Sequence, residues 1–232
     1  MNFNSKLIKG LFIRRYKRFF ADVQLENGIV TAHCPNTGSM KGLLNKNDTV
    51  WLSETNNPKR KLKYTWELVK DNKTNSLVGI NTHLPNKLVY DSLLNNKIEE
   101  FNIYDNIKKE VPYGNNSRID FLLEGKKISP CYLEVKNVHF SDGYGIAKFP
   151  DAITSRGLKH LHELIEVANN GYRAVMLYLI QREDCNRFAL ADDIDPEYCK
   201  VFNEALKNGV EVLCFSCKIS TSSISIGDKI KF

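Results

Sequence analysis

Residues 117–138 read SRIDFLLE-GKKISP-CYLEVKNV. Two runs rich in Ile, Phe, Leu, Val and Tyr flank a polar segment that opens on Gly125-Lys126, the pattern of two strands joined by a turn. Glu134 and Lys136 are two residues apart, so their side chains leave the same face of the second strand. Asp120, on the first strand, can sit beside them. Two carboxylates at one point repel each other unless a cation joins them, and hard oxygen donors with open positions favour Mg²⁺ or Mn²⁺. Such an ion would bind a phosphate oxygen and acidify a water, while the lysine ammonium positions that water or stabilises charge on the phosphate. E-x-K alone arises by chance in most chains of this size; an Asp on the neighbouring strand makes the pattern more specific. The alternative is a salt-bridge ladder across an exposed hairpin. Ile119, Phe121, Leu133 and Val135 stand between and beside the charges, which suits a central strand and favours a metal-dependent phosphodiesterase centre.

Working outward, IKKEVPY (107–113) reads as a strand before this pair, and its Glu110 is a candidate further metal ligand or an exposed strand glutamate. Leu88 to Phe101 reads as an amphipathic helix. Asp151 to Asn170 is a second helix, with Leu158, Leu161, Leu164, Ile165 and Ala168 on one face and Gly171 as its stop. Arg156, Lys159, His160 and Glu163 form a stripe opposite that face, either a grip for a nucleic-acid backbone or a solvated surface. RAVMLYLI (173–180) is an apolar strand of the buried kind, and Gln181 and Arg182 at its end are candidates to face the metal. Asp195-Pro196 opens a helix to Asn208, Gly209 ends it, and VEVLCFSC (210–217) is a last strand. The order from residue 84 is thus helix, three strands, helix, strand, helix, strand.

Residues 1–83 differ in pattern and charge. They hold fourteen Lys and Arg against six Asp and Glu, and the remainder of the chain holds nineteen against twenty-one, within a net charge of +6. Short strands separated by polar turns, with Asn27-Gly28 as a hairpin turn, predict a small OB-like barrel. Arg14, Arg15, Lys17 and Arg18 alternate with Phe12, Tyr16, Phe19 and Phe20; Lys59, Arg60, Lys61 and Lys63 precede Tyr64 and Trp66. Cations for phosphates with aromatics for bases is the recipe for binding a single strand. The Asn36–Ser39 turn is a candidate phosphate nest or an ordinary turn. The expected organisation is a nucleic-acid-binding domain over 1–83 and a catalytic domain over 84–232.

Six scattered cysteines, with no second pair beside Cys214-x-x-Cys217, predict free thiols rather than disulfides or zinc ligands. Positions three apart on a strand point to opposite faces. A short apolar stretch near the start runs directly into Arg14 and Arg15 without a small-residue cleavage site, so no signal peptide is expected. No apolar run is long enough to span a bilayer. Together these predict a cytoplasmic protein with no membrane partner.

The segments RRYKRFFADV, TAHCPNTGSM, NPKRKLKYTWELV, GINTHLPN, KEVPYG-x-x-SRIDFLL, CYLEVKNV, KFPDAITSRGLKHLHEL and GYRAVMLYLIQR, in that order and over nearly the whole length, resemble the sugar fermentation stimulation protein (SfsA) family. The resemblance implies an N-terminal OB-like domain, a C-terminal α/β domain similar to PD-(D/E)XK restriction-endonuclease-like nucleases, and DNA binding without strong sequence preference. Asp120, Glu134 and Lys136 match the nuclease motif, with Ile119 where a Pro is usual. Two rivals stay open: a non-catalytic DNA-binding regulator of sugar-utilisation genes that keeps the nuclease-like fold, and a protein directed at RNA.

Overall fold

The computed structural model describes residues 1–114 and 116–232. Its first six strands are β1 (Ile8–Tyr16), β2 (Phe20–Leu25), β3 (Gly28–His33), β4 (Thr49–Glu54), β5 (Tyr64–Lys70) and β6 (Leu77–Gly79). They run in the order β3-β2-β1-β4-β5-β6, and a parallel pairing of Ala32 with Tyr64 and His33 with Thr65 joins β3 to β5. That contact closes β1 to β5 into a five-stranded barrel of the OB kind, with no open edge between β3 and β5. Apolar side chains from the strands fill the interior: Phe12, Val23, Leu52, Trp66 and Val78 are buried together, with the Phe12 and Trp66 rings stacked at 5.1 Å. Gly10 is required by close approach, since a Cβ there would stand 2.5 Å from the Val23 side chain. The β2–β3 loop is Glu26-Asn27 rather than Asn27-Gly28: Leu25 pairs with Gly28. Gly28 opens β3 at φ 122°, a conformation only glycine adopts freely.

The second unit begins with α1 (Pro85–Leu94), and one 3₁₀ turn follows at Glu99–Phe101. The helix expected to reach Phe101 therefore stops seven residues earlier, where Asn95 caps it and Asn96 takes φ 52°; Asn tolerates that left-handed turn. Then come β7 (Asn106–Tyr113), β8 (Ser117–Glu124), β9 (Cys131–Val138), β10 (Ile146–Phe149), α2 (Ser155–Asn169), β11 (Arg173–Ile180), β12 (Arg187–Leu190), α3 (Pro196–Lys207), β13 (Glu211–Ile219) and β14 (Ile224–Lys229). α2 starts at Ser155, not Asp151, because the Thr154 hydroxyl caps it by accepting from Gly157 N–H at 3.0 Å. The sheet order is β14-β13-β11-β9-β8-β7, with β9, β11 and β13 parallel and the outer strands antiparallel. β10 and β12 form a small separate parallel pair.

Both faces of this sheet are buried. On the α1 side Leu88, Phe121, Leu133, Leu177 and Phe215 pack together; under α2 and α3 lie Ile119, Leu161, Leu164, Met176 and Phe202. Cys214 belongs to the second cluster and Cys217 to the first, so the two thiols do face apart. All six cysteines are free and buried. Among the described residues no helix is long and apolar enough to cross a membrane.

The two units are tightly joined. The chain's first residues return to the second unit: Phe3 N–H donates to Ser222 O and Ile224 N–H to Met1 O, both at 3.0 Å. Arg182, 1% exposed, reaches Asp71 of the barrel at 2.7 Å and Asp184 at 2.6 Å. Gly79 N–H donates to Gln181 O at 2.9 Å. A Cβ on Gly79 would lie 2.5 Å from Gln181 Oε1, so the strand needs glycine there. Gln181 and Arg182 thus hold the domain seam rather than facing a metal, because β11 runs past the sheet into a bridge between Val78 and Arg182.

Candidate active site

The ladder between β8 and β9 runs from Leu123–Cys131 to Phe121–Leu133 and stops there. Beyond it the strands part, and the Asp120 carboxylate fills the gap. Its Oδ2 accepts the Val135 N–H at 2.8 Å, the amide that a continued ladder would have used. Its Oδ1 accepts from Asn86 Nδ2 at 2.6 Å, so the first turn of α1 fixes the other oxygen. Burial and the charge of Glu134 push the Asp120 carboxyl up to about 6, against the pull of Val135 N–H, Lys136 and Asn86.

Glu134 and Lys136 project from β9 toward α2. Glu134 is 2% exposed, and its Oε1 takes the Lys136 ammonium at 2.8 Å. The same oxygen meets His160 Nδ1, which is also 3.1 Å from Lys136 Nζ. Burial alone would raise the Glu134 pKa; Lys136 and His160 outweigh it and hold the carboxylate below its ordinary range. Oε2 of Glu134 is buried without a hydrogen-bond partner.

His160 is therefore part of the buried cluster rather than a solvent-facing backbone grip. The helix stripe that looked solvent-exposed packs over the polar end of β9, so His160 and Glu163 are both buried while Arg156 and Lys159 remain exposed. Arg156 Nε donates to His160 Nε2 at 3.4 Å. Asn86 and this burial of His160 escaped the sequence reading. The expected helix starts at Leu88, after Asn86, and nothing local ties Asn86 to Asp120, thirty-four positions away. Glu110 takes φ 53° at a one-residue gap in the pairing, between Lys109–Phe121 and Val111–Ile119, across which the register does not shift, and its side chain is exposed on the edge strand, outside the buried cluster.

Family models fit both units: the SfsA N-terminal OB domain over residues 13–80, and the sugar fermentation stimulation protein RE domain over residues 83–223. The chain belongs to the SfsA family. A sugar fermentation stimulation protein homolog from Maricaulis maris is 50% identical over 97% of this chain and 96% of its own length. The homolog from Bartonella henselae is 52% identical over 97% and 95%. Among solved structures, "The structure of Pyrococcus Furiosus SfsA in complex with Ca2+" matches with a TM-score of 0.89 at 25% identity, covering 100% of this chain and 97% of that one. The SfsA fold is thus an OB barrel followed by a restriction-endonuclease-like domain.

The basic residues of this SfsA barrel divide into two groups. Arg14 is paired with Asp22 at 2.8 Å, and Lys63 with Glu54. Arg15 donates to Gly38 O at 3.0 Å and Asn36 O at 2.6 Å, so it braces a turn. Arg60 donates to Thr65 Oγ1 at 2.9 Å while remaining exposed. Lys17, Arg18, Lys59 and Lys61 stand in exposed loops. Both loops lie at one end of the barrel, because β3 there pairs with Phe20 on one side and Tyr64 and Thr65 on the other. Phe19 is 47% exposed at that end, whereas Phe12 and Trp66 are core. The Asn36–Ser39 turn is not a vacant phosphate nest. Gly38 N–H goes to Asn36 Oδ1 at 2.9 Å, and the Asp151 carboxylate accepts from Met40 N–H and Ser39 Oγ, each at 3.1 Å.

Proposed function

We propose that this protein binds nucleic acid, DNA foremost, through its barrel and hydrolyses phosphodiester bonds at Asp120, Glu134 and Lys136 with a divalent cation. The observation that carries the reading is the Glu134 carboxylate: one oxygen held by Lys136 and His160, the other buried with no partner. A buried, unpaired carboxylate oxygen costs free energy, and a hard cation is a fitting partner for it. Asp120 suits the same ligand, since a cation would relieve the crowding that raises its pKa to about 6. The donor set fits Mg²⁺ or Mn²⁺, with Asp120 and Glu134 as the residues that would hold the ion. The relative from Pyrococcus furiosus was solved in complex with Ca²⁺, another hard cation. When bound, the ion supplies charge to a phosphate oxygen and lowers the pKa of a water.

The chain's own groups do the rest. Val135 N–H and Asn86 lock both Asp120 oxygens in place. Lys136 presents a preorganised positive charge where the phosphate becomes more anionic. His160, between Glu134 and Lys136, fixes their geometry. Arg156 and Lys159 lie exposed above the centre and suit the backbone of a bound strand.

One observation favours the regulator instead. Both Asp120 oxygens already accept a hydrogen bond, from Asn86 and from Val135 N–H. Calorimetric titration with Mn²⁺ separates the two. The enzyme reading expects a heat of binding that Glu134→Gln abolishes; a silent wild type supports the regulator.

A further inference from the structure

Pro112, Tyr113 and Gly114, at the end of β7, lie against α2 and border a pocket of about 280 Å³. Tyr113, Tyr132 and Tyr172 line it, with ring centroids 5.9 and 5.7 Å apart in sequence, forming a continuous aromatic surface. Glu163 also lines it. This residue is 5% exposed, and neither carboxylate oxygen has a hydrogen-bond partner. The Lys159 ammonium stands 3.7 Å away, beyond hydrogen-bond distance. Gly114 lies against the carboxylate: its φ is 54°, and a Cβ there would meet Glu163 Oε1 at 2.8 Å.

The pocket adjoins the centre described above along α2, where Glu163 stands one helical turn past His160, whose ring meets Glu134. The Tyr113 hydroxyl, which also lines the pocket, is buried without a hydrogen-bond partner. A strand lying with a phosphate at Asp120 and Glu134 would bring a neighbouring base to the tyrosines.

Resting on the nuclease reading, we propose that this pocket receives one unstacked nucleobase of the bound strand and that Glu163 selects guanine. Bases stack on aromatic rings whatever their identity, so the tyrosines supply affinity. A carboxylate only accepts hydrogen bonds, and two buried oxygens without a hydrogen-bond donor, one of them ion-paired with Lys159, suit two adjacent donors. Guanine alone among the standard bases offers them, N1–H beside N2–H₂. Adenine and cytosine place one donor next to a ring acceptor, and thymine sets one donor between two carbonyls. The guanine edge is available only when the base is unpaired, so the pocket takes single strands or a flipped base.

The test is fluorescence anisotropy in EDTA with a labelled oligothymidylate of about ten residues, unmodified or carrying one central guanine, inosine, adenine or cytosine. Guanine should bind tightest, and inosine, which lacks the N2 amine, on the order of 10-fold more weakly. Glu163→Gln should bring guanine down to the inosine level and leave plain oligothymidylate unchanged. Tyr172→Ala, at a 44% exposed position that does not threaten folding, should weaken all five by on the order of 10-fold. Equal affinity for guanine and inosine, or a guanine preference that survives Glu163→Gln, overturns the guanine pocket alone. No binding of any oligonucleotide overturns the nucleic-acid reading and this inference with it.

Discussion

Replacing Asp120 by Asn should make the metal-free protein more stable, and the gain should depend on pH. The Asp120 carboxyl sits at about 6 in the folded state against an ordinary 3.8. Between those values the folded protein holds a proton that the unfolded chain has lost, so folding stability falls as pH rises through that window. A gap from 3.8 to about 6 corresponds to about 3 kcal/mol once both states are ionised, at about 1.4 kcal/mol per tenfold. At pH 4 the penalty is only about 0.5 kcal/mol by the same linkage. Asn cannot ionise, and its Oδ1 can still accept the Val135 N–H if the Asn86 amide turns to present its oxygen. The advantage of Asp120→Asn over wild type should therefore grow by roughly 2 to 3 kcal/mol between pH 4 and pH 7.5. Urea unfolding at the two pH values measures it, and titrating groups that do not interact with Asp120 cancel in the difference. Millimolar Mn²⁺ should close the gap at pH 7.5 by stabilising the wild type alone. A variant less stable than wild type at pH 7.5, or an advantage equal at both pH values, would refute the idea that Asp120 is a crowded, ion-seeking carboxylate.

Other consequences follow from the same geometry. Arg182→Met should cost about 3–5 kcal/mol in thermal or chemical unfolding, because Asp71 and Asp184 lose their buried partner. Lys17→Ala with Arg18→Ala should leave unfolding unchanged and reduce the slope of log affinity against log salt on duplex DNA by up to about 1.8, about 0.9 for each lost phosphate contact; an unchanged slope removes that turn from the binding surface. Thiol labelling should be slow in the folded protein and complete only on unfolding, since burial raises Cys131 and Cys214 to about 12 and Cys185 to about 11. Rapid labelling of the native state would contradict the burial.

The elements with strong local signals were readable from the chain: the apolar strand at 173–180, the helix caps at Asp195 and Gly209, and the charge contrast between the two parts. Glu134 and Lys136 were readable too, because period-two alternation on β9 dictates a shared face. Long-range effects were not. Asp120 was readable as a neighbour of Glu134, but only the assembled sheet shows that the β8–β9 ladder stops at Phe121 and that the carboxylate takes the Val135 N–H there. His160 reads as solvent-facing on a helical wheel, yet the end of β9 beneath it is polar, so the charged stripe of α2 becomes an inward face. Gln181 and Arg182 end a buried strand, which suits a site as well as a domain seam; the barrel's Asp71 and Gly79 decide it. β14 and the β10–β12 pair were missed because their sequences are short or polar and are held by neighbours distant in the chain.

The most direct measurement is cleavage itself. Labelled single- and double-stranded DNA, and matching RNA, are incubated with pure protein in Mn²⁺ and in EDTA, beside Glu134→Gln and Lys136→Ala. Hydrolysis that needs Mn²⁺ and disappears in both variants, with DNA binding in EDTA retained, is the predicted result. Wild type that binds DNA but cuts no substrate in Mn²⁺, or cutting that survives Glu134→Gln, would contradict the proposed centre.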